Sequence, residues 1–188
     1  MKNFNIVLVG VGGQGLIKSS DLLSYAAFFE GLDVKKAEVH GLAQRGGSLF
    51  IQVRISEKVL SPLIDKKTAD FLIGYEIMEA SRYLDYLKKD GTLIYDPLRI
   101  LPVGFSSDEY PDNLENYFRS RNINIYKYEA MQEALSNGDS RMQNVILLRE
   151  LNKYLDFSID AWEKSFYKCF KKEVADKNLD VFIGGTKE

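Results

Sequence analysis

The chain has 188 residues, 45% of them hydrophobic and 28% charged, which is enough apolar material for one core and excludes global disorder. Its 25 basic and 27 acidic residues give a net charge of -2, without the positive surplus that binding to nucleic-acid phosphates requires. One cysteine, Cys169, and one histidine, His40, exclude an intrachain disulfide, an iron–sulfur cluster held by this chain alone and a zinc site of mixed His and Cys ligands.

Phe4 to Val9 is a short apolar run closed by Gly10 and reads as a strand buried on both faces. Leu16, Leu23, Ala26 and Ala27 then recur at helical spacing, so 16–29 is expected as a helix that Gly31 stops. Asp33 to Val39 returns as a second strand, and 40–47 is too rich in turn formers to be regular. Leu49 to Ile55 alternates, which predicts a strand whose Phe50, Gln52 and Arg54 face is the less buried. Strands at 71–75 and 92–95 flank a helix expected over 77–87. A surface excursion is expected for 97–122, followed by a strand at 123–128. Ser140 is placed as the cap of a helix over 141–154, and Ile159, Trp162, Phe166 and Phe170 mark one face of a last helix over 158–170. This alternation predicts an α/β fold: a single three-layer domain spanning 1–188, with a mostly parallel, Rossmann-like sheet. No apolar run approaches the ~18 residues needed to cross a bilayer, and the start leads into a strand rather than a signal segment, so a reducing cytoplasm is expected.

Gly10, Gly12, Gly13, Gln14 and Gly15 fall in a G-x-G-x-x-G pattern between the first strand and first helix. Glycines let the backbone turn tightly there, and the helix amino terminus favours a phosphate or carboxylate. Glu38 lies near the distance at which a dinucleotide fold places an acid for a ribose hydroxyl, which keeps a nicotinamide or flavin dinucleotide reading open beside a purely architectural glycine turn. The second cluster gathers Glu38, His40, Gly41, Gln44, Arg45, Gly46 and Gly47 into one loop. Were the first two strands neighbours, both loops would share the crevice at the carboxyl edge of the sheet. Arg45 there suits a carboxylate or phosphate as well as a salt bridge, and His40 suits a proton switch as well as an ordinary loop hydrogen bond. Tyr75, Tyr83, Tyr86 and Tyr95 read as packing, Cys169 as a small hydrophobe, and Asp65, Asp70 and Asp96 as capping or turn residues.

The run Gly10-Val-Gly-Gly-Gln-Gly15, followed by Glu38-Val-His-Gly-Leu-Ala-Gln-Arg-Gly-Gly47, Gln52-Val-Arg54 and a weaker Arg141-Met-Gln-Asn144, resembles the gamma-type subunits of 2-oxoacid:ferredoxin oxidoreductases. Its His-Gly-x-Ala-Gln-Arg-Gly-Gly stretch is most similar to the branch that holds the indolepyruvate ferredoxin oxidoreductase beta subunit. The resemblance implies an accessory chain carrying no cofactor. Thiamine diphosphate with magnesium, and iron–sulfur clusters passing electrons to ferredoxin, are implied on a larger partner chain, with coenzyme A as co-substrate. It implies an isolated chain that is inactive, with a homodimer open to it, while the charge balance and the lack of a long apolar run predict no nucleic-acid or membrane partner. The resemblance leaves open whether the two glycine-bearing loops touch coenzyme A, line the route to the thiamine or only form the subunit contact; two glycine-rich loops at one edge favour a contact with the larger chain at the border of its active site.

Overall fold

A computed structural model describes residues 2–40, 47–102 and 104–184. β1 (Phe4–Val11) leads through the glycine turn into α1 (Leu16–Phe29), which Gly31 ends at φ +78°. β2 (Asp33–His40) and β3 (Ser48–Ser56) pair antiparallel, and β4 (Ala69–Gly74) follows. α2 (Ile77–Arg82) and a 3-10 turn at Leu84–Tyr86 lead into β5 (Leu87–Tyr95). α3 (Leu114–Arg119), β6 (Asn124–Lys127), α4 (Ala130–Ser136), α5 (Gln143–Leu155), α6 (Ile159–Cys169) and α7 (Lys172–Gly184) complete the chain.

The six strands form one sheet in the order β2-β3-β1-β4-β5-β6. β1, β4, β5 and β6 run parallel, and β3 lies antiparallel between β1 and β2. β1 and β2 are therefore not neighbours, against the arrangement on which a shared crevice was first argued. The hairpin β2–β3 nevertheless turns at the carboxyl edge of β1, because Gly10, Leu49 and His40 stand in one row across the sheet.

Alternation along the strands divides the interior in two. Ile6, Leu8, Ile51, Val53 and Ile73 face α1 and α5, with Trp162, Phe166 and Phe182 beyond. Val7, Val9, Leu72 and Leu93 face α2 and α3. Phe50 and Gln52, expected on the less buried face, are buried. Phe50 stacks on Tyr83 with ring centroids 4.7 Å apart, and Gln52 Oε1 accepts the Ile64 N–H at 2.6 Å. The helix expected over 77–87 ends at Arg82, and Asp139 rather than Ser140 caps the turn before α5, accepting the Arg141 N–H at 3.0 Å. The excursion at 97–122 contains α3, whose Leu114 and Phe118 are buried. None of the described helices is long and apolar enough to cross a membrane.

Candidate functional site: a glycine turn, a hairpin root and a cavity

The glycine turn is shaped by close approach. A Cβ on Gly10 would lie 2.7 Å from Gln14 Oε1, 2.9 Å from Tyr75 Cβ and 3.0 Å from Leu16 Cδ1. Gly15 caps α1 at φ +79°, a left-handed conformation that strains any L side chain, and its Cβ would meet Asn144 Nδ2 at 2.6 Å. Gly15→Ala is expected to cost about 1–2 kcal/mol, from the left-handed backbone alone. Urea denaturation monitored by tryptophan fluorescence checks this, Trp162 being the chain's one tryptophan.

Gln14 is spent on the fold rather than offered outward. Its Oε1 accepts the Val11 N–H at 2.7 Å, and its Nε2 donates to the Tyr75 carbonyl at 2.8 Å and to Gln143 Oε1 at 3.3 Å. Gln143 Nε2 donates in turn to the Tyr75 carbonyl at 3.0 Å and to Asp96 Oδ2 at 2.9 Å. Asp96 also accepts the Met131 N–H at 2.6 Å and the Leu98 N–H at 2.9 Å. Burial pushes its carboxyl above the ordinary value, and these three donors oppose the rise. One polar chain thus fixes the glycine turn to the carboxyl ends of β4 and β5 and to the starts of α4 and α5. The turn role expected for Asp96 is present in its bond to Leu98, but sequence gave no sign of the link to Gln143.

The second loop meets this turn at its root. Val11 pairs with Ser48, and the Gly12 N–H donates to the Gly47 carbonyl at 2.9 Å, so both loops leave the same rim of the sheet. Gly41, Gln44, Arg45 and Gly46, with the side chain of His40, lie outside the described residues. Glu38 is placed elsewhere: it pairs with Ile51, which pairs with Leu8, so β3 separates it from β1 by two strand spacings, roughly 10 Å. Lys36 Nζ bridges Glu38 Oε1 at 2.8 Å and Asp21 Oδ1 at 2.5 Å. A dinucleotide fold needs its acid on the strand beside β1, and here β3 occupies that place.

Beside the turn, on the α1 face, is a cavity of about 370 Å³. Gly13 to Gly15, Lys18, the 139–144 turn and Phe170, Val174 and Asn178 line it. The first hydrogen bond entering α1 from the turn runs from the Ser19 N–H to the Gly15 carbonyl at 2.9 Å, leaving the amides ahead of it at the cavity end of the helix. Lys18 Nζ lies 5.4 Å from the Phe170 ring centroid, at the same end. Asn144 is buried; its Nδ2 donates to the Gly15 carbonyl at 3.4 Å and its Oδ1 has no partner among the described residues. The end of α1, with Lys18, favours an anion. Sequence reasoning did not join these residues, which come from three distant segments; Arg141 to Asn144 were visible only through the family pattern. No group of three or more His, Cys, Asp or Glu side chains is placed to hold a metal among the described residues.

A family model for pyruvate ferredoxin/flavodoxin oxidoreductase matches residues 5–188. The chain belongs to this family. It is 36% identical over 187 residues to the indolepyruvate oxidoreductase subunit IorB of Archaeoglobus fulgidus, covering 96% of this chain and 92% of that one. With the subunit of the same name from Thermococcus kodakarensis it shares 33% identity over 189 residues, covering 96% and 91%. Among solved structures of the same fold, the pyruvate oxidoreductase subunit PORC of Thermotoga maritima aligns with a TM-score of 0.74 at 22% identity, covering 100% of this chain and 97% of that one. The 2-oxoglutarate:ferredoxin oxidoreductase of Magnetococcus marinus, solved with 2-oxoglutarate, coenzyme A and succinyl-CoA, aligns with a TM-score of 0.75 at 24% identity, over 99% of this chain and 31% of the longer one.

Proposed function

We propose that the whole chain acts as one gamma-type domain, the accessory subunit of a cytoplasmic 2-oxoacid:ferredoxin oxidoreductase acting on indolepyruvate or another aryl pyruvate. The observation that carries this is end-to-end likeness to subunits named for indolepyruvate, at 36% and 33% identity. In this reading the larger partner chain carries thiamine diphosphate, magnesium and the iron–sulfur clusters, which supply decarboxylation and electron transfer to ferredoxin. This chain supplies shape and charge. Gly12 and Gly13 keep the exposed part of the turn free of side chains, so that the backbone of a second protein approaches closely, while Gly10 and Gly15 make room for this chain's own Gln14, Tyr75 and Asn144. In this reading the segment that holds His40, Gly41, Gln44, Arg45, Gly46 and Gly47, rooted at the turn by the Gly12–Gly47 hydrogen bond, completes the contact. The cavity behind the turn receives the anionic end of the acyl acceptor, coenzyme A, whose phosphates suit Lys18 and the amide end of α1.

The isolated chain is expected to be inactive, and mixing it with its large subunit to restore 2-oxoacid-dependent reduction of ferredoxin or a dye. Equal activity from the large chain alone overturns the assignment. Arg45→Ala is expected to weaken subunit affinity or raise the KM for coenzyme A about tenfold or more, the scale of a lost charged hydrogen bond, while the KM for the 2-oxoacid stays the same. Steady-state rates over a range of coenzyme A concentrations, with a titration of one subunit into the other, measure both.

A further inference from the structure

On the opposite face of the same rim, α2 carries two buried carboxylates. Glu76 accepts the Glu79 N–H at 2.8 Å and the Tyr110 hydroxyl. Glu79 is 3% exposed, and its Oε2 accepts from Ser48 Oγ at 2.5 Å. Ser48 Oγ also lies 3.2 Å from the Tyr83 hydroxyl, and Arg82 Nε is 3.5 Å from Glu79 Oε1. Ser48 follows Gly47 directly and pairs with Val11, so this carboxylate grips the point from which both loops depart. A hollow of about 80 Å³ lies against it, bounded by Val11, Ser48, Arg82 and Leu101 among others.

We propose that Glu79 is a positioning residue: through Ser48 it fixes the shared root of the hairpin loop and the glycine turn, tightly when ionised and loosely when protonated. That the root matters for assembly rests on the function proposed above; the grip itself does not. The ionised carboxylate makes a charge-assisted bond to Ser48 and the protonated one a neutral bond, which is roughly half as strong. Among the described residues, the charged and titratable groups facing Glu79 are Arg82, the helix-capping Glu76 and Tyr83, with the Ser48 hydroxyl facing it from β3. Burial pushes the Glu79 carboxyl up; Ser48 and Arg82 pull it down, and Glu76 adds to the rise. The switch therefore lies above the ordinary carboxylate value of 4.5, with the fold favouring the neutral form. Ionising Glu79 costs stability that is fully present below the unfolded value and is lost as pH rises through the folded one. The state that grips the loops is thus the state that strains the fold.

Amide hydrogen exchange of the full chain, read at Gly12, Ser48 and Leu49 and corrected for intrinsic rates, tests the grip at pH 4.5, below the raised value, and at pH 8. Protection is expected to fall about fivefold on acidification in the natural chain. In Glu79→Gln and Ser48→Ala it is expected to be low at both pH values. Thermal denaturation of Glu79→Gln is expected to lack Glu79's own contribution, which lowers the stability of the natural chain as pH rises above 4.5. Unchanged protection in both variants overturns the proposal, as does a stability change without a change at the loop root, which marks Glu79 as merely structural. If the grip is confirmed but affinity for the large subunit is the same in the natural chain and Glu79→Gln, the grip stands and the interface reading fails.

Discussion

Arg149→Ala is expected to destabilise the chain by about 3–5 kcal/mol, the cost of stripping one partner from a buried ion pair. Arg149 is 2% exposed and Glu150 fully buried. The guanidinium holds both Glu133 oxygens at 2.7 and 2.8 Å, Glu150 Oε1 at 3.1 Å, the Tyr128 hydroxyl at 2.8 Å and the Val181 carbonyl at 3.3 Å. One side chain therefore ties α4, the end of β6, α5 and α7 together. Removing it leaves Glu150 inside the protein with only Lys153 and Tyr126 to answer its charge. A fall in Tm on the order of 10 °C follows for a chain of this size, measured by calorimetry at neutral pH. The Arg149 hydrogen bond also holds the Glu133 carboxyl below its ordinary value of 4.5, against the opposing effect of burial. Its stabilisation is present above pH 4.5 and is lost as pH falls through the lowered value, so the natural chain weakens in acid by a term that Arg149→Ala lacks. Because α4 and α5 flank the 139–144 turn, the same loss loosens the far wall of the cavity.

Gly10→Val is expected to disable the glycine turn itself. Three heavy atoms stand within 3.0 Å of where even a Cβ would sit, and two belong to Tyr75 and Leu16, both buried in the core. Overpacking of this kind costs about 1–3 kcal/mol. The first atom to yield is Gln14 Oε1, at the end of a flexible side chain, and its displacement breaks the bond to Val11 and the brace to Gln143. A folded but misassembled subunit follows: circular dichroism close to natural, with affinity for the large chain reduced at least tenfold. Natural affinity in this variant would remove the turn from the interface.

The sequence made the first half of the fold legible because each element there carries its own signal. α1 runs over Leu16–Phe29 as its apolar spacing requires, between a glycine turn and Gly31. What periodicity does not encode is which strands become neighbours. The hairpin places β3 between β1 and β2, and that single insertion carries Glu38 to Lys36 and away from the glycine turn. α7 lay beyond the expected elements although Ala175, Leu179 and Phe182 recur at helical spacing and are buried. The burial of Phe50 and Gln52 was not legible because alternation along β3 does not say what packs onto each face, and Tyr83 and Ile64 reach this one from other segments of the chain. Of the site, the glycines were visible as a motif, while Asn144, Gln143 and Asp96 become neighbours of the turn only once β5 and α5 are packed.

The central claim is that the glycine turn and the hairpin loop together face a larger partner chain. Hydrogen exchange of this chain, alone and saturated with its large subunit, tests it most directly. Peptides covering 10–16 and 38–49 are predicted to gain protection together, while the outer face of α6 and the free edge of β6 exchange as before. Protection confined to those distant surfaces, with both loops unchanged, would contradict the account.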